Sequence, residues 1–425
     1  MVVNSADRSN AWQLLDVADA AATTSVSIVI PAHDCQDSLD RLLASIAAQR
    51  YRAEHIQVVV VDDGSTPPIT VPNGVTCLRQ ESDGSFGAGR ARNAGAAIAT
   101  GDVLLFLDAD LLLGPDAVGR LLRWYEASPA SVVTGTINFF DLDDVGVDAL
   151  VDAIESQSVP LLLAKVGSDD QVWREKTFRR TYDLTTDCSD LFRIMIGALM
   201  CVPRALHESI GGLRALGVRG IEDTEYGYRL HNAGGLFVLD RSVDVWHQGR
   251  RFFDSSAAKD AKRERTELIE SLIPERTFRA VGRSDHRVPI AVVDIADGVV
   301  VSGLDGLGRA DVCVLSGAPL DPERRRDLDA SPIEIRVLHD CALGPGVVDE
   351  LVERLMHEGI GVVRAVDGDG QEILTAYRRR AIGRAHITGG ERDSQGRDRA
   401  GVVFGDWSLP GEMLGIRSEL DGDVS

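Results

Sequence analysis

Short apolar runs closed by acidic turns organise the first half of the chain. Val26-Ser27-Ile28-Val29-Ile30 is stopped by Pro31, and Ile56 to Val61 is stopped by Asp62-Asp63-Gly64-Ser65. Val103-Leu104-Leu105-Phe106-Leu107 is stopped by Asp108-Ala109-Asp110. Runs so short and so uniformly apolar predict strands covered on both faces of a sheet. Between them lie stretches of helical period. Asp37 to Ala48 carries Leu39, Leu42, Leu43 and Ile46 on one side, and Gly89 to Ile98 reads as a helix of small residues. Strand and helix in alternation predict an α/β domain with a parallel, doubly wound sheet.

The pattern loosens from Thr134 to Arg193, where Asp is frequent, and returns from Ile194 to Trp246. Lys259, Arg263, Arg265 and Glu267 then interleave in a charged stretch that predicts a solvated helix or linker. A second alternation begins near Val288, with strands expected at Ile290–Val293, Val312–Leu315, Ile333–Val337 and Gly361–Val363 and a helix over Val347–His357. A chain of 425 residues is too long for one ordinary core. The expected division is a polar lead-in over 1–24, a first α/β domain over 25–253, a charged helical linker over 254–287 and a smaller C-terminal α/β domain over 288–425.

The strand ends carry the candidate chemistry. Side chains two apart on a strand point the same way, so Asp108 and Asp110 leave the carboxyl end of a core strand together. In open α/β sheets that edge is where ligands bind. Hard oxygen donors with no thiolate beside them suit Mg²⁺ or Mn²⁺ carrying a phosphate-bearing substrate. At Pro31-Ala32-His33-Asp34 a backbone freed from the sheet can approach a flat base. Asp62 and Asp63 can accept from a base imide or a ribose hydroxyl, or simply form an Asp-Gly turn. Gly87 to Gly95 combines glycines with Arg90 and Arg92 at a helix start, which suits a phosphate or a plain helix opening. Glu222, Asp223 and Glu225 open an amphipathic run, either complementing its dipole or supplying a general base. His247 closes a strand, as a structural residue or a further metal ligand.

In order, the stretches SIVIPAHD, VVVVDDGS, GAGRARNAG, GDVLLFLDAD, IGALMCVPRALHESIGG, GIEDTEYGYRLHNAG and DVWHQG resemble the family 2 glycosyltransferases of GT-A fold, from about Ser25 to Arg251. The resemblance implies a Rossmann-like, mainly parallel GT-A catalytic domain. It implies metal-dependent, inverting transfer from a nucleoside-diphosphate sugar, with a UDP-sugar expected. The acceptor would be a glycan, peptide, lipid-linked sugar or small molecule. Pro31, Ala32 and Asp62 would hold the base, with Asp34 and Asp63 beside the base or ribose. Arg92 and Asn93 would line the nucleotide and diphosphate pocket, and Asp108 with Ala109 would face the ribose or donor sugar. Asp110 would bind Mn²⁺ or Mg²⁺, and His247 resembles the metal-completing His of chondroitin-polymerase-like members. Asp223, paired with Glu222, would be the catalytic base.

Some positions depart from the family. Gly211-Gly212-Leu213 is followed by Arg214 and Ala215 where two acids are usual, and His33 stands where Tyr is common. The QxxRW motif of processive synthases is absent. Two other readings stay open. A sugar-nucleotide nucleotidyltransferase would need a Gly-rich basic first loop, which Pro31-Ala32-His33-Asp34-Cys35 is not. A non-catalytic nucleotide-sugar-binding module would predict loss of Asp110, Asp223 or His247, and all three are present.

Charge and cysteines narrow the setting. A net charge of -21 argues against nucleic acid as a partner. Cys35, Cys77, Cys188, Cys201, Cys313 and Cys341 form no CxxC pair, which fits a reduced, cytoplasmic protein. MVVNSADRSN has no signal-peptide pattern, and no apolar stretch has transmembrane length. The basic run Arg378 to Arg384 reads as a solvated helix face or as a contact for an anionic acceptor.

Overall fold

The computed structural model describes residues 10–18, 23–81, 88–164, 172–186, 190–217, 220–249, 258–275, 278, 288–302, 312–315, 321–343, 346–357, 361–366, 371–387, 406–410 and 416–418. The described residues fall into two compact units. One comprises Asn10–Leu230 with Leu236–Lys262, and the other comprises His231–Gly235 and the described part of Arg263–Ser425.

The first unit begins β1 (Val26–Ala32), α1 (Gln36–Ala47), β2 (Ile56–Asp63), β3 (Thr76–Gln80), α2 (Ala88–Ala97) and β4 (Val103–Leu107). It continues β5 (Leu111–Leu113), α3 (Ala117–Ala127), β6 (Ser131–Thr134) and β7 (Ile137–Phe140). Four short helices follow: α4 (Leu142–Val145), α5 (Val147–Glu155), α6 (Val159–Leu163) and α7 (Val172–Arg180). Then come β8 (Leu199–Pro203), α8 (Arg204–Ser209), α9 (Glu222–Asn232), β9 (Leu236–Leu239) and β10 (Val245–Gln248).

The main sheet has the order β3-β2-β1-β4-β8-β6-β9. Its strands run parallel except β8, which is antiparallel to both neighbours. The mainly parallel α/β class expected from the apolar runs is therefore present. Val26, Ile28, Val29 and Ile30 on β1 are fully buried, as a central strand covered on both faces requires. Gly95 on α2 shows how close the cover lies: a Cβ there would meet Val29 Cγ1 at 2.4 Å and Val61 Cγ2 at 3.1 Å. The small residues of this helix serve packing onto β1 and β2.

A second sheet, β5-β10-β7, stands at the carboxyl end of β4. Leu111, Leu112 and Leu113 are all buried, and β10 lies between β5 and β7. The stretch from Thr134 to Arg193, irregular by pattern, contains β7 and the four short helices among its described residues. Its frequent Asp residues partly serve as caps; Asp141 accepts from the Asp143 amide at 3.1 Å. The lead-in also differs from expectation. Asn10 is buried, accepts from the Phe237 amide at 3.0 Å and donates to the Phe237 carbonyl at 2.8 Å. Its amide thus satisfies one peptide of edge strand β9. Trp12 packs edge-on against Trp124, with ring centroids 5.1 Å apart.

α10 (Ala258–Leu272) occupies the charged stretch expected to be helical. The second unit contains β11 (Ala291–Ile295), β12 (Val301–Ser302), β13 (Val312–Leu315), α11 (Pro322–Asp329), β14 (Ile333–Val337) and β15 (Cys341–Leu343). It ends with α12 (Val347–His357), β16 (Val362–Val366), β17 (Glu372–Arg378), α13 (Arg379–Ile387), β18 (Asp406–Pro410) and β19 (Ile416–Ser418). Its sheets have the orders β13-β11-β14-β17-β16-β18 and β12-β15-β19. Val348, Leu351 and Leu355 of α12 belong to one core with Val293, Ile335, Val363 and Leu374. The solvated face expected for Arg378 to Arg384 is a correction: Arg380 and Arg384 are buried, and Arg384 donates to the Gly234 carbonyl of the same unit. The aliphatic stems of arginine make such burial possible when the guanidinium finds carbonyl partners.

Among the described residues Cys35, Cys77, Cys201, Cys313 and Cys341 are free thiols; Cys188 lies outside them. No described helix is long and apolar enough to cross a membrane.

The close approach at Gly95 is testable. Gly95→Val should lower unfolding free energy by about 1–3 kcal/mol through overpacking, read as an earlier urea midpoint. An unchanged midpoint would mean α2 can lift from the sheet without penalty.

Candidate active site

The connection from β4 to β5, Asp108 to Asp110, sets the site. Asp108 follows β4, and its amide donates to the Ala198 carbonyl at 3.1 Å. Asp110 precedes β5, and its carbonyl accepts from the Gln248 amide at 2.8 Å. His247 pairs across β10 with Leu111 on one side and Phe139 on the other. Its ring stacks on Phe139, centroids 4.8 Å apart. These contacts bring His247 Nε2 within 3.2 Å of Asp110 Oδ2.

The pair fits a divalent cation. For metal–ligand bonds of about 2.1 Å, neighbouring octahedral ligands lie roughly 3 Å apart, close to the observed separation. A carboxylate oxygen with an imidazole nitrogen is a donor set that Mn²⁺ accepts well. The Nδ1 of His247 is buried with no hydrogen-bond partner among the described residues. No group of three or more His, Cys, Asp or Glu suited to a metal occurs among the described residues. Phosphate oxygens and water can complete such a site, the usual arrangement for Mg²⁺ on substrate phosphates.

Asp108 and Asp223 are joined through one side chain and one peptide. Arg92 on α2 is only 2% exposed. Its Nη2 donates to Asp108 Oδ1 at 2.6 Å and to the Gly197 carbonyl at 3.0 Å. The Gly197 amide donates to Asp223 Oδ2 at 3.0 Å. Asp223 lies in the first turn of α9, and its Oδ1 also accepts from the Thr224 amide at 2.7 Å. Burial, then the neighbouring Glu222 charge, raises its pKa above the ordinary carboxylate value; the two amides and Arg92 oppose that rise. A carboxylate held upward and partly buried is suited to take a proton.

The nucleotide-side residues divide. Pro31 and Ala32 end β1, level with Val61 and Asp62 of β2. Asp62 is 1% exposed and carries the turn that follows it. It accepts from the Ser65 amide at 2.9 Å and the Ile69 amide at 3.2 Å, and pairs with Arg79. Burial alone would raise its pKa, but the Ser65 and Ile69 bonds and Arg79 bring it below the ordinary value. Asp63 pairs with Arg90 at 2.7 Å. Asp34 adopts a left-handed φ of 49° and accepts from the Thr66 amide at 2.8 Å. Between them, His33 donates Nδ1–H to the Asp63 carbonyl at 2.8 Å, which joins the two loops. Asn93, expected to line the diphosphate pocket, binds Leu213 instead: Nδ2 donates to its carbonyl at 2.7 Å and Oδ1 accepts from its amide at 2.9 Å.

Residues 27–196 match the family model described as Glycosyl transferase family 2. Residues 27–196 carry a family 2 glycosyltransferase domain. Over 230 residues it is 31% identical to Validoxylamine A glucosyltransferase of Streptomyces hygroscopicus subsp. limoneus, covering 51% of this chain and 50% of that protein. Over 144 residues it is 31% identical to an uncharacterized glycosyltransferase of Nostoc sp., covering 32% of this chain and 42% of that one. Among solved structures it is similar to the mannosyltransferase PcManGT of Pyrobaculum calidifontis in complex with GDP-Man and Mn²⁺, at 18% identity and TM-score 0.39, covering 60% of this chain and 64% of that one. The chain spans about half the length of the validoxylamine A glucosyltransferases it matches.

Glu222, beyond the matched residues, is set apart from its neighbour. Its Oε2 accepts from the Gly220 amide at 2.8 Å and the Ile221 amide at 3.0 Å, holding the first turn of α9. Asp223 instead meets the Gly197 amide. Arg214, at a position where the family usually has an acid, is buried and pairs with Glu225 at 3.0 Å. Glu225 also holds Arg229 with two bonds of 2.7 and 2.8 Å. Beside this cluster His207 meets the Tyr226 hydroxyl at 2.7 Å. Burial and then Arg229 push its pKa down to about 4, so it stays neutral at physiological pH. Gly197 and Phe139 were not singled out from sequence. Gly197 stands in the quoted stretch IGALMCVP, but only the folded partners reveal its use.

Two outcomes follow for the site. Glu225→Ala would leave two buried arginines uncompensated and should lower stability by about 3–5 kcal/mol, seen as a large fall in thermal midpoint. Asp223 contributes with the opposite pH sense to an ordinary paired carboxylate. Its folded pKa is raised, so wild type loses stability as pH climbs from the ordinary carboxylate range through the raised value. Asp223→Asn should therefore gain stability relative to wild type over that window and hold a constant difference on either side. Urea unfolding at stepped pH measures it; a relative stability that falls with pH would reverse the assignment.

Proposed function

We propose that this chain is a metal-dependent, inverting glycosyltransferase that moves a sugar from a nucleoside-diphosphate sugar, with UDP as the expected nucleotide, to an acceptor nucleophile. The observation that carries the reading is the 3.2 Å approach of His247 to Asp110 at the same strand edge from which Asp108 reaches, through Arg92 and Gly197, to Asp223. The match to the family 2 model supports it. The name of the Streptomyces relatives, a glucosyltransferase acting on validoxylamine A, supports a glucosyl donor and a small-molecule acceptor among the possible classes.

Asp110 and His247 would hold the ion. When bound, it would offset the charge that builds on the departing diphosphate. Asp223 accepts the proton of the acceptor hydroxyl as its oxygen attacks the anomeric carbon. The bond to the diphosphate breaks on the opposite face, so one displacement inverts the centre. The raised pKa of Asp223 favours the proton's arrival, while its two amide bonds keep the carboxylate in one orientation. The backbone at Pro31 and Ala32, with Asp34 and Asp63 nearby, is the expected seat of the base and ribose. Asp62 would act there through the turn it holds.

Substitution separates these roles. Asp223→Asn should retain UDP binding and lose transfer by about a hundred- to ten-thousandfold. Asp110→Asn and His247→Ala should each remove the extra thermal stabilisation that Mn²⁺ adds to UDP. If UDP, GDP and TDP, with or without Mn²⁺, leave the wild-type melting temperature unchanged, the nucleotide-sugar reading fails.

A further inference from the structure

Arg92 was expected to line the nucleotide pocket, yet its surroundings give it a different task. It is almost fully buried within the first unit, and among the described residues its ion-pair partner is Asp108 at 2.6 Å. The same nitrogen, Nη2, holds the Gly197 carbonyl at 3.0 Å. The other side of the Gly197 residue holds Asp223, through its amide, at 3.0 Å. Space enforces this arrangement. A Cβ on Gly197 would lie 2.6 Å from Nη2 and 3.0 Å from both Cζ and Nη1 of Arg92. Any side chain at position 197 would push the guanidinium off the peptide.

We propose that Arg92 is a positioning residue that fixes Gly197 by its carbonyl and, through the amide of the same residue, aims the Asp223 carboxylate while tethering Asp108 on the donor side. The role rests on the glycosyltransferase reading for its catalytic meaning, but the linkage itself is independent of any substrate. A guanidinium can do this because one nitrogen bridges a carboxylate and a carbonyl in a fixed plane. The groups facing Asp223 are Glu222 from its own helix, Arg92 from α2, Arg174 from α7 and the amides of Gly197 and Thr224. Arg92 and Arg174 are the cations among them, and Arg92 lowers the affinity of Asp223 for its proton. Loss of Arg92 should loosen the carboxylate and let it protonate at higher pH.

The test uses the full chain labelled with ¹³C at aspartate side-chain carboxyls. The resonance missing from Asp223→Asn identifies Asp223, and its titration is followed in wild type, Arg92→Gln, Arg92→Lys and Gly197→Ala. The expected result is an upward shift of the midpoint in Arg92→Gln and Gly197→Ala, with Arg92→Lys returning toward wild type. Gly197→Ala keeps the charge and breaks only the geometry, so it decides the case should Arg92→Gln fold poorly. Alongside, UDP release from UDP-glucose should show kcat reduced by about a hundredfold in both altered variants, with KM and UDP-induced thermal stabilisation little changed. Weakened UDP binding with an unmoved Asp223 midpoint would overturn the proposal and return Arg92 to the nucleotide pocket. If wild type turns over no nucleotide sugar while the Asp223 midpoint still follows Arg92, the glycosyltransferase reading fails and the linkage stands.

Discussion

The reversal of β8 against β4 is the constraint on which the site depends. Antiparallel pairing of Leu107 with Leu199 forces the residues before β8 to run back along the residues after β4. The Asp108 amide then meets the Ala198 carbonyl at 3.1 Å, and Gly197 is the next residue back along that strand's approach. Had β8 run parallel, the peptide that orients Asp223 would sit at the opposite end of the sheet. The apolar content of both strands fixes the pairing, since Leu104, Phe106, Leu199, Met200 and Val202 are fully buried and have no alternative face to present.

Burial makes every charge near this reversal answerable to a partner. A buried ion without one is strongly unfavourable. Arg92 answers to Asp108, Asp62 to Arg79 and two amides, and Glu225 to Arg214 and Arg229. These sets rigidify three successive loops at the carboxyl edge. Exposure instead marks the groups accessible to a ligand. Asp110 keeps 41% of its side-chain surface and His247 keeps 22%, while Arg92 keeps almost none. The same contrast separates the acid pair of α9: Glu222 caps its own helix, and Asp223 turns toward Gly197.

β1, β2, β4, α1 and α2 of the first unit were legible because each is a short uniform run or a helical stripe. β1 and β2 run two residues past their expected ends at Ile30 and Val61, through Ala32 and Asp63, while β4 ends at Leu107 as read. What the pattern could not carry was the division of work among polar residues. A DDGS turn looks the same whether its first Asp meets a base or, as Asp62 does, holds the turn itself. GAGRARNAG looks like a phosphate cradle, yet Gly95 serves contact with Val29, and Asn93 grips Leu213. Asn10 gave no signal at all, since its use depends on an edge strand more than two hundred residues away. Long-range partners of this kind have no local period to betray them.

The replacement of an acid by Arg214 shows how such a network moves as a whole. A carboxylate at that position would face Glu225, and two buried acids in contact would force one to take a proton. With Arg214 present, Glu225 instead sits between two guanidinium groups, and Arg229 is left able to donate to the Ile210 carbonyl at 2.8 Å. Ile210 leads into Gly211-Gly212-Leu213, and Leu213 is the residue Asn93 grips. The exchange of charge at one position thus reaches α2, the helix that also carries Arg92. A loop held from both ends in this way limits how the acceptor side of α9 can move without disturbing Asp223. The departure at Arg214 is therefore better read as a different way of fixing the same helix than as the loss of an acceptor contact.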